Sequence, residues 1–301
     1  MKIGFIGLGL MGRLMSANLA KAGHQLQTYD INGSGSCRSA REAATGAQFL
    51  ITMVPDGKAV RKAVLAALPG LARGAIVIDM SSSDPDTTRE LGKVLAKRGI
   101  AMLDSPVSGA KAKAKDGTLA LMVGGDPKVL KKARPVLLAM GNAIFPTGAL
   151  GSGHAVKALN NYLGAAGTVA GFEALLIGQA YGLDTRVMVD AINASTGKNS
   201  TTERKIPQQV FTGAFSSGFL LRLMRKDVGI AAAIARQSKV PAPYLARTLK
   251  IWKDAERSLK PRADHTELYH YLRRLRRPSQ PPSRAAASRP ARSRRRPRRP
   301  S

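Results

Sequence analysis

Lys157 and Asn161 stand four apart in the stretch Gly151-Ser152-Gly153-His154-Ala155-Val156-Lys157-Ala158-Leu159-Asn160-Asn161. A helix there puts both side chains on one face. The surrounding run is apolar, and burying an uncompensated ammonium is costly. Desolvation pulls a lysine's pKa toward neutrality, which suits a general acid or base. The same pattern also fits a lysine that snorkels to the surface while Asn161 packs on a neighbour.

The other chemistry-bearing stretch opens the chain. Gly7-Leu8-Gly9-Leu10-Met11-Gly12 matches G-x-G-x-x-G, follows the apolar strand Lys2–Ile6, and leads into a helical pattern (Leu14, Met15, Leu19, Ala22) closed by Gly23. The first glycine permits the tight turn, the second lets a pyrophosphate approach bare backbone, and the third lets the helix pack against the strand. Unpaired N–H groups at the helix start hold the diphosphate. A second strand, His24–Tyr29, ends at Asp30, 18 positions past Gly12, where a carboxylate accepts from ribose hydroxyls and repels a 2′-phosphate. The cofactor expected is therefore NAD, with NADP as the lesser possibility.

The elements that must position these residues alternate. Strands are expected at 48–54, 75–79, 100–104, 119–123 and 143–145, and helices at 39–47, 58–68, 85–97 and 127–140. Such alternation implies a largely parallel sheet with ligands at the strands' carboxyl ends, where Val54, Pro55, Ser81 to Ser83 and Ser105 to Gly109 lie. Only one helical stretch separates Asp30 from the next strand, so one helix-strand unit of the usual α/β Rossmann-type domain is missing after Asp30. The lost strand is an edge strand in the usual order, and its loss would bare the second strand and thin the adenine pocket.

From Gly151 the pattern is helical: 154–181, then helices near 184–193, 218–238, 242–258 and 264–275. The expected division is a nucleotide-binding domain at 1–150, an all-helical substrate and dimerisation domain at 151–270, and a disordered Arg/Pro-rich tail at 271–301. A helix as apolar as 154–181 must be buried between domains or subunits, so a homodimer or homotetramer is expected.

The chain has 301 residues, 44% hydrophobic, and a net charge of +29. That length accommodates two domains. The single cysteine, Cys37, excludes an internal disulfide framework; with no signal-peptide pattern it suggests a reducing cytoplasm. Cys37 itself reads as incidental. No apolar run is expected to span a bilayer, and His24, His154, His265 and His270 lack metal-ligand spacing. The tail 271–301 holds twelve arginines and no acid, which leaves +17 on the rest. Arg294 to Arg299 could contact phosphates, but no aromatic is interleaved after Tyr271 to stack bases. Nucleic acid is not the expected partner.

Four blocks together resemble the β-hydroxyacid dehydrogenase family, which includes 3-hydroxyisobutyrate dehydrogenase and tartronate semialdehyde reductase: GFIGLGLMG at 4–12, DSPVSG at 104–109, GSGHAVKALNN at 151–161 and MRKD at 224–227. The resemblance covers roughly residues 1–268, apart from the gap after Asp30. It implies that Lys157 is the catalytic lysine, that Asn161 helps hold the substrate, that Ser108 and Gly109 bind its carboxylate, that Ser82 lies near the nicotinamide ribose, and that Lys226 reaches both cofactor and substrate. It further implies hydride transfer to nicotinamide while Lys157 exchanges the hydroxyl proton.

The implied activity interconverts a short β-hydroxy acid and its semialdehyde. A 3-hydroxyisobutyrate dehydrogenase leads, a tartronate semialdehyde reductase follows, and a non-catalytic nucleotide-binding or nucleic-acid-associated protein is the reading from another class. Two features depart from the family. Ala110 replaces a second glycine and is followed by Lys111, Lys113 and Lys115, read as a solvated basic loop. Lys198-Asn199-Ser200 stands where an aromatic residue often follows Thr-Gly. His154 is read as an ordinary helix-start side chain, with contact to the cofactor as the alternative.

Overall fold

The computed structural model describes residues 1–275. In chain order the first part runs β1 (Lys2–Ile6), α1 (Leu10–Lys21), β2 (Gln25–Tyr29), α2 (Ala40–Ala44), β3 (Phe49–Thr52), α3 (Gly57–Ala67), β4 (Ile76–Asp79), α4 (Pro85–Ala96), β5 (Ala101–Asp104), β6 (Val107–Ser108), α5 (Ala110–Asp116), β7 (Ala120–Gly124), α6 (Pro127–Leu138) and β8 (Ala143–Gly148). The helical part comprises α7 (Ser152–Tyr181), α8 (Thr185–Asn193), a π-helix at Thr201–Val210, α9 (Leu221–Gln237), α10 (Pro243–Ser258), a 3-10 turn at His265–Glu267 and α11 (Leu268–Leu275).

The sheet order is β2-β1-β3-β4-β5-β7-β6, with β8 paired to β7. The first five are parallel, because each crossover carries a helix. β7 runs antiparallel to β5 and β6. With one unit absent, β3 takes the place beside β1 that a fourth strand usually occupies, and β2 becomes the edge. That edge is not left bare. The loop after Asp30 folds back on it: Cys37 N–H donates to Thr28 O at 2.8 Å and Thr28 N–H donates to Ser36 Oγ at 3.0 Å. Gly35 packs so closely that a Cβ there would meet Thr28 O at 2.4 Å. Paired edge groups of this kind lower the hazard of an open strand.

Helix starts follow side-chain chemistry. Asp56, Asp84 and Asp126 accept first-turn N–H groups of α3, α4 and α6, and Pro85 and Pro127 occupy the first turns of α4 and α6, where a missing N–H costs nothing. The two sheet faces bury separate clusters, one around Phe5, Met15, Ile51 and Val136, the other around Leu50, Val64, Leu91 and Leu95. A third core, around Phe172, Val228 and Trp252, joins α7 to α9, α10 and α11.

Several expectations are corrected. Lys111, Lys113 and Lys115 lie on a helix, α5, held by buried Ala114 and by a 2.8 Å bond from Asn18 Nδ2 to Ala114 O. The expected helix at 218–238 begins only at Leu221, because Gly218 takes φ +85° and Leu220 bridges to Asp264. The helix expected at 264–275 breaks into a 3-10 turn, closed by an Asp264–Glu267 capping box, followed by α11. Residues 271–275, assigned to the tail, are thus helical; a disordered tail over 276–301 lies outside the described residues. α7 is long and apolar enough, by length and composition, to cross a membrane, contrary to expectation, but half of its most apolar window is buried within the fold.

Candidate active site

The glycine loop shows three different constraints. Gly7 has φ +102°, and a Cβ there would sit 2.3 Å from Met53 O. A Cβ on Gly12 would lie 1.9 Å from Gly7 O, so this glycine permits α1 to close on β1. A Cβ on Gly9 would meet nothing within 4 Å among the described residues. Gly9 starts α1 without a side-chain cap, so the N–H end of the helix faces that open space with Leu8, Leu10 and Met11 around it. Asp30 is fastened at the end of β2, its Oδ2 accepting Leu8 N–H at 2.6 Å and its Oδ1 accepting Asn32 N–H at 3.0 Å. Each oxygen keeps a lone pair for a hydroxyl donor. The open cradle, the bare helix end and the carboxylate fit a dinucleotide.

Across the cleft, Lys226 of α9 draws the nucleotide loops together. Its Nζ donates to Pro55 O at 2.9 Å and to Ser82 O, and pairs with Asp227 Oδ1 at 3.1 Å. Val54 N–H donates to Ser81 Oγ at 3.0 Å, joining the loops after β3 and β4. Val54, Pro55, Ser82 and Lys226, which are far apart in sequence, therefore meet in one place.

Lys157 and Asn161 share a face of α7, as their spacing requires. Asn161 is buried and its Nδ2 donates to Asp227 Oδ2 at 2.5 Å. Lys157 is half-buried. Desolvation pulls its pKa below the ordinary lysine value; the Asp227 carboxylate opposes that shift and the Lys226 ammonium adds to it. Asp227 is the site residue that the sequence reading missed. It falls in the buried stripe Leu221, Met224, Val228, Ala231 of α9, and a carboxylate in a core stripe was the available signal.

Ser108 and Gly109 sit half-exposed where β6 passes into α5, with Ser108 opposite Ala120 of β7. Gly109 adopts φ +142° and Ala110 φ +56°, a conformation glycine takes more readily than alanine. No hydrogen bond links Ser108 or Gly109 to α7 among the described residues; the connection runs through Asp104, at the head of the same block. Asp104 Oδ1 accepts Gly151 N–H at 2.6 Å and Oδ2 accepts His154 N–H at 2.8 Å, so β5 caps α7. His154 is not an ordinary helix-start side chain: it is fully buried, its ring facing Asp79, Thr88 and Asp104.

A family model for the NAD binding domain of 6-phosphogluconate dehydrogenase matches residues 2–148, and one for the NAD-binding of NADP-dependent 3-hydroxyisobutyrate dehydrogenase matches residues 151–272. The 3-hydroxyisobutyrate dehydrogenase of Pseudomonas aeruginosa is 37% identical, over 82% of this chain and 90% of that one. The 3-sulfolactaldehyde reductase of Escherichia coli is 34% identical, over 90% and 95%. Among solved structures, the Mycobacterium tuberculosis 3-hydroxyisobutyrate dehydrogenase with L-serine superposes with a TM-score of 0.83 at 33% identity, over 90% of this chain and 99% of that one. With both halves matched and the cofactor cradle formed, this chain belongs to the β-hydroxyacid dehydrogenase family of NAD(P)-dependent oxidoreductases.

Proposed function

We propose that the protein interconverts a short β-hydroxy acid and its semialdehyde, with 3-hydroxyisobutyrate or a close analogue as substrate, and that Lys157 is the general acid/base. The observation that carries this reading is the pairing of a desolvated Lys157 with Asn161, Asp227 and Lys226 at the mouth of a dinucleotide cradle. Residues 1–150 supply the cradle and 151–270 the lysine face.

A bound nicotinamide supplies the hydride acceptor. The Ser108 hydroxyl and the Gly109 N–H are neutral donors suited to the substrate carboxylate. The Asn161 amide, oriented by Asp227 and with its Oδ1 accepting from Asn160 Nδ2 at 3.2 Å, keeps its second N–H and one carbonyl lone pair for the substrate. In oxidation the neutral Lys157 amine takes the hydroxyl proton; in reduction the ammonium returns it and stabilises the forming alkoxide. Asp30, accepting ribose hydroxyls and repelling a 2′-phosphate, favours NAD over NADP. A panel of small β-hydroxy acids assayed with NAD and NADP, with Lys157→Ala as control, tests this: turnover on none of them refutes the substrate class.

The exposed side chains Val156, Leu159, Leu163, Ile177 and Tyr181 recur at helical spacing and form one stripe along α7. This supports the association of copies through α7; sedimentation of Leu163→Glu checks it, a smaller species being expected.

A further inference from the structure

Asp79 and Asp104 end adjacent parallel strands and are register partners. Both side chains are fully buried, and like charges directly opposed on one sheet face repel. Each is heavily bonded. Asp79 Oδ1 accepts from Thr52 Oγ1 at 2.9 Å and Ser81 N–H at 3.0 Å, and its Oδ2 from Ser83 Oγ at 2.7 Å. Asp104 accepts the two N–H groups that start α7. Among the described residues neither carboxylate pairs with a lysine or arginine, and Arg89, near Gly151, is engaged by Asp86.

The His154 ring lies between the two acids. Its Nε2 is 3.5 Å from Asp79 Oδ2, and its Nδ1 is 3.7 Å from Asp104 Oδ2 and 2.9 Å from Thr88 Oγ1. Thr88 Oγ1 also lies 3.1 Å from Asp84 O, so the hydroxyl is shared between the ring and the start of α4. Among the described residues Nε2 makes no hydrogen bond, and Asp79 Oδ2 is the carboxylate oxygen it faces. The ring thus touches three elements: β4 through Asp79, β5 through Asp104 and α4 through Thr88.

We propose that His154 is a positioning residue, an interdomain pin that seats the first turn of α7 on the ends of β4 and β5 and thereby sets where the Lys157 amine stands. Lys157 follows it by three residues on the neighbouring turn. Through Asp79 the ring also braces the Ser81–Ser83 turn, whose Ser82 carbonyl receives Lys226 and whose Ser81 hydroxyl receives Val54 N–H. One buried ring therefore couples the lysine face to the nucleotide loops. Its functional consequence rests on the reading of Lys157 as acid/base.

The test reads the Lys157 amine in the cofactor-free protein, by competitive acetylation across pH followed by mass spectrometry, alongside thermal unfolding. Asp227 and Lys226 are the charged groups acting on that amine, and neither is altered. In folded His154→Ala, α7 loosens at its start, water reaches Lys157, and its titration moves up toward the ordinary lysine value, with about tenfold less free amine in the neutral range for each unit moved. His154→Gln, which can direct an amide N–H at Asp79, restores part of the shift. If His154→Ala does not fold, Thr88→Val keeps the ring and removes its Nδ1 partner together with the bond to Asp84 O, and a smaller shift of the same sign is expected. An unmoved Lys157 titration in a folded variant of either residue, including one whose melting temperature alone has fallen, overturns the pin. Full turnover by Lys157→Ala would instead remove the catalytic reading and leave the labelling result standing.

Discussion

Asn161 Nδ2 on α7 donates to Asp227 Oδ2 on α9 at 2.5 Å, while the other oxygen of Asp227 pairs with Lys226 at 3.1 Å. The carboxylate thus orients the amide and the ammonium at once, and its charge acts on Lys157 from the same place. Because that charge raises the Lys157 pKa against desolvation, Asp227→Asn is expected to lower it further. The rising limb of kcat/KM in the oxidation direction, which needs the neutral amine, should move to lower pH. The falling limb of reduction, which needs the ammonium, should move the same way. A pH profile in each direction checks the sign; a limb that moves upward contradicts it.

The cofactor cradle separates folding from binding. Gly12→Ala forces a Cβ into Gly7 O and is expected to abolish stable folding of the loop, seen as loss of soluble protein or a large fall in melting temperature. Gly9→Ala meets open space, so it should fold normally and weaken NADH binding, by roughly tenfold for about 1.4 kcal/mol. Fluorescence titration of NADH against the unfolding curve distinguishes the two.

Asp30→Asn keeps the contact to Leu8 N–H and removes the charge that repels a 2′-phosphate. The ratio of NAD to NADP efficiency should fall by roughly tenfold or more, on the order of 1.4 kcal/mol of lost discrimination. Steady-state assays with both cofactors read it. An unchanged ratio removes Asp30 from cofactor choice.

Lys205, on the π-helix, is a second desolvated lysine, bonded to α7 through Thr168. Its Nζ donates to Thr168 Oγ1 at 2.6 Å and Thr201 Oγ1 at 3.3 Å, and burial pulls its pKa down to about 8. The unfolded chain binds that proton more tightly, so burial costs stability below pH 8, on the order of 3 kcal/mol, and the cost fades as pH rises toward the unfolded lysine value. Thr168 keeps Gly164 O as acceptor without the lysine. Lys205→Met should therefore raise the melting temperature at pH 7, with the gain shrinking toward pH 10. A gain independent of pH contradicts this assignment.

What could be read from the chain was mostly local. The glycine loop, the acid at the end of β2 and the strand ends lie within short, regular stretches, and the missing unit after Asp30 shows as one helix where two are usual. The residues that organise the cleft were hidden because their partners are distant: His154 meets Thr88 from 66 positions away, and Asn161 meets Asp227 across another 66. Asp79 and Asp104 each close an apolar strand just before a polar loop, a shared pattern that hints at a joint role only once the register is known. The π-helix at Thr201–Val210 escaped because its turns break the 3.6-residue period and Pro207 lies inside it. Lys111, Lys113 and Lys115 looked like a loop by charge alone, while one buried alanine, Ala114, seats them on a helix.

The decisive experiment is the pH dependence of NAD-linked hydroxy-acid oxidation by the wild type and by Lys157→Ala, with and without added methylamine. The wild type should show an activity limb below the ordinary lysine value. The variant should lose about 10²–10⁴-fold in kcat together with that limb, and methylamine should restore part of the rate. A Lys157→Ala enzyme that turns over at the wild-type rate with the same limb would contradict the account.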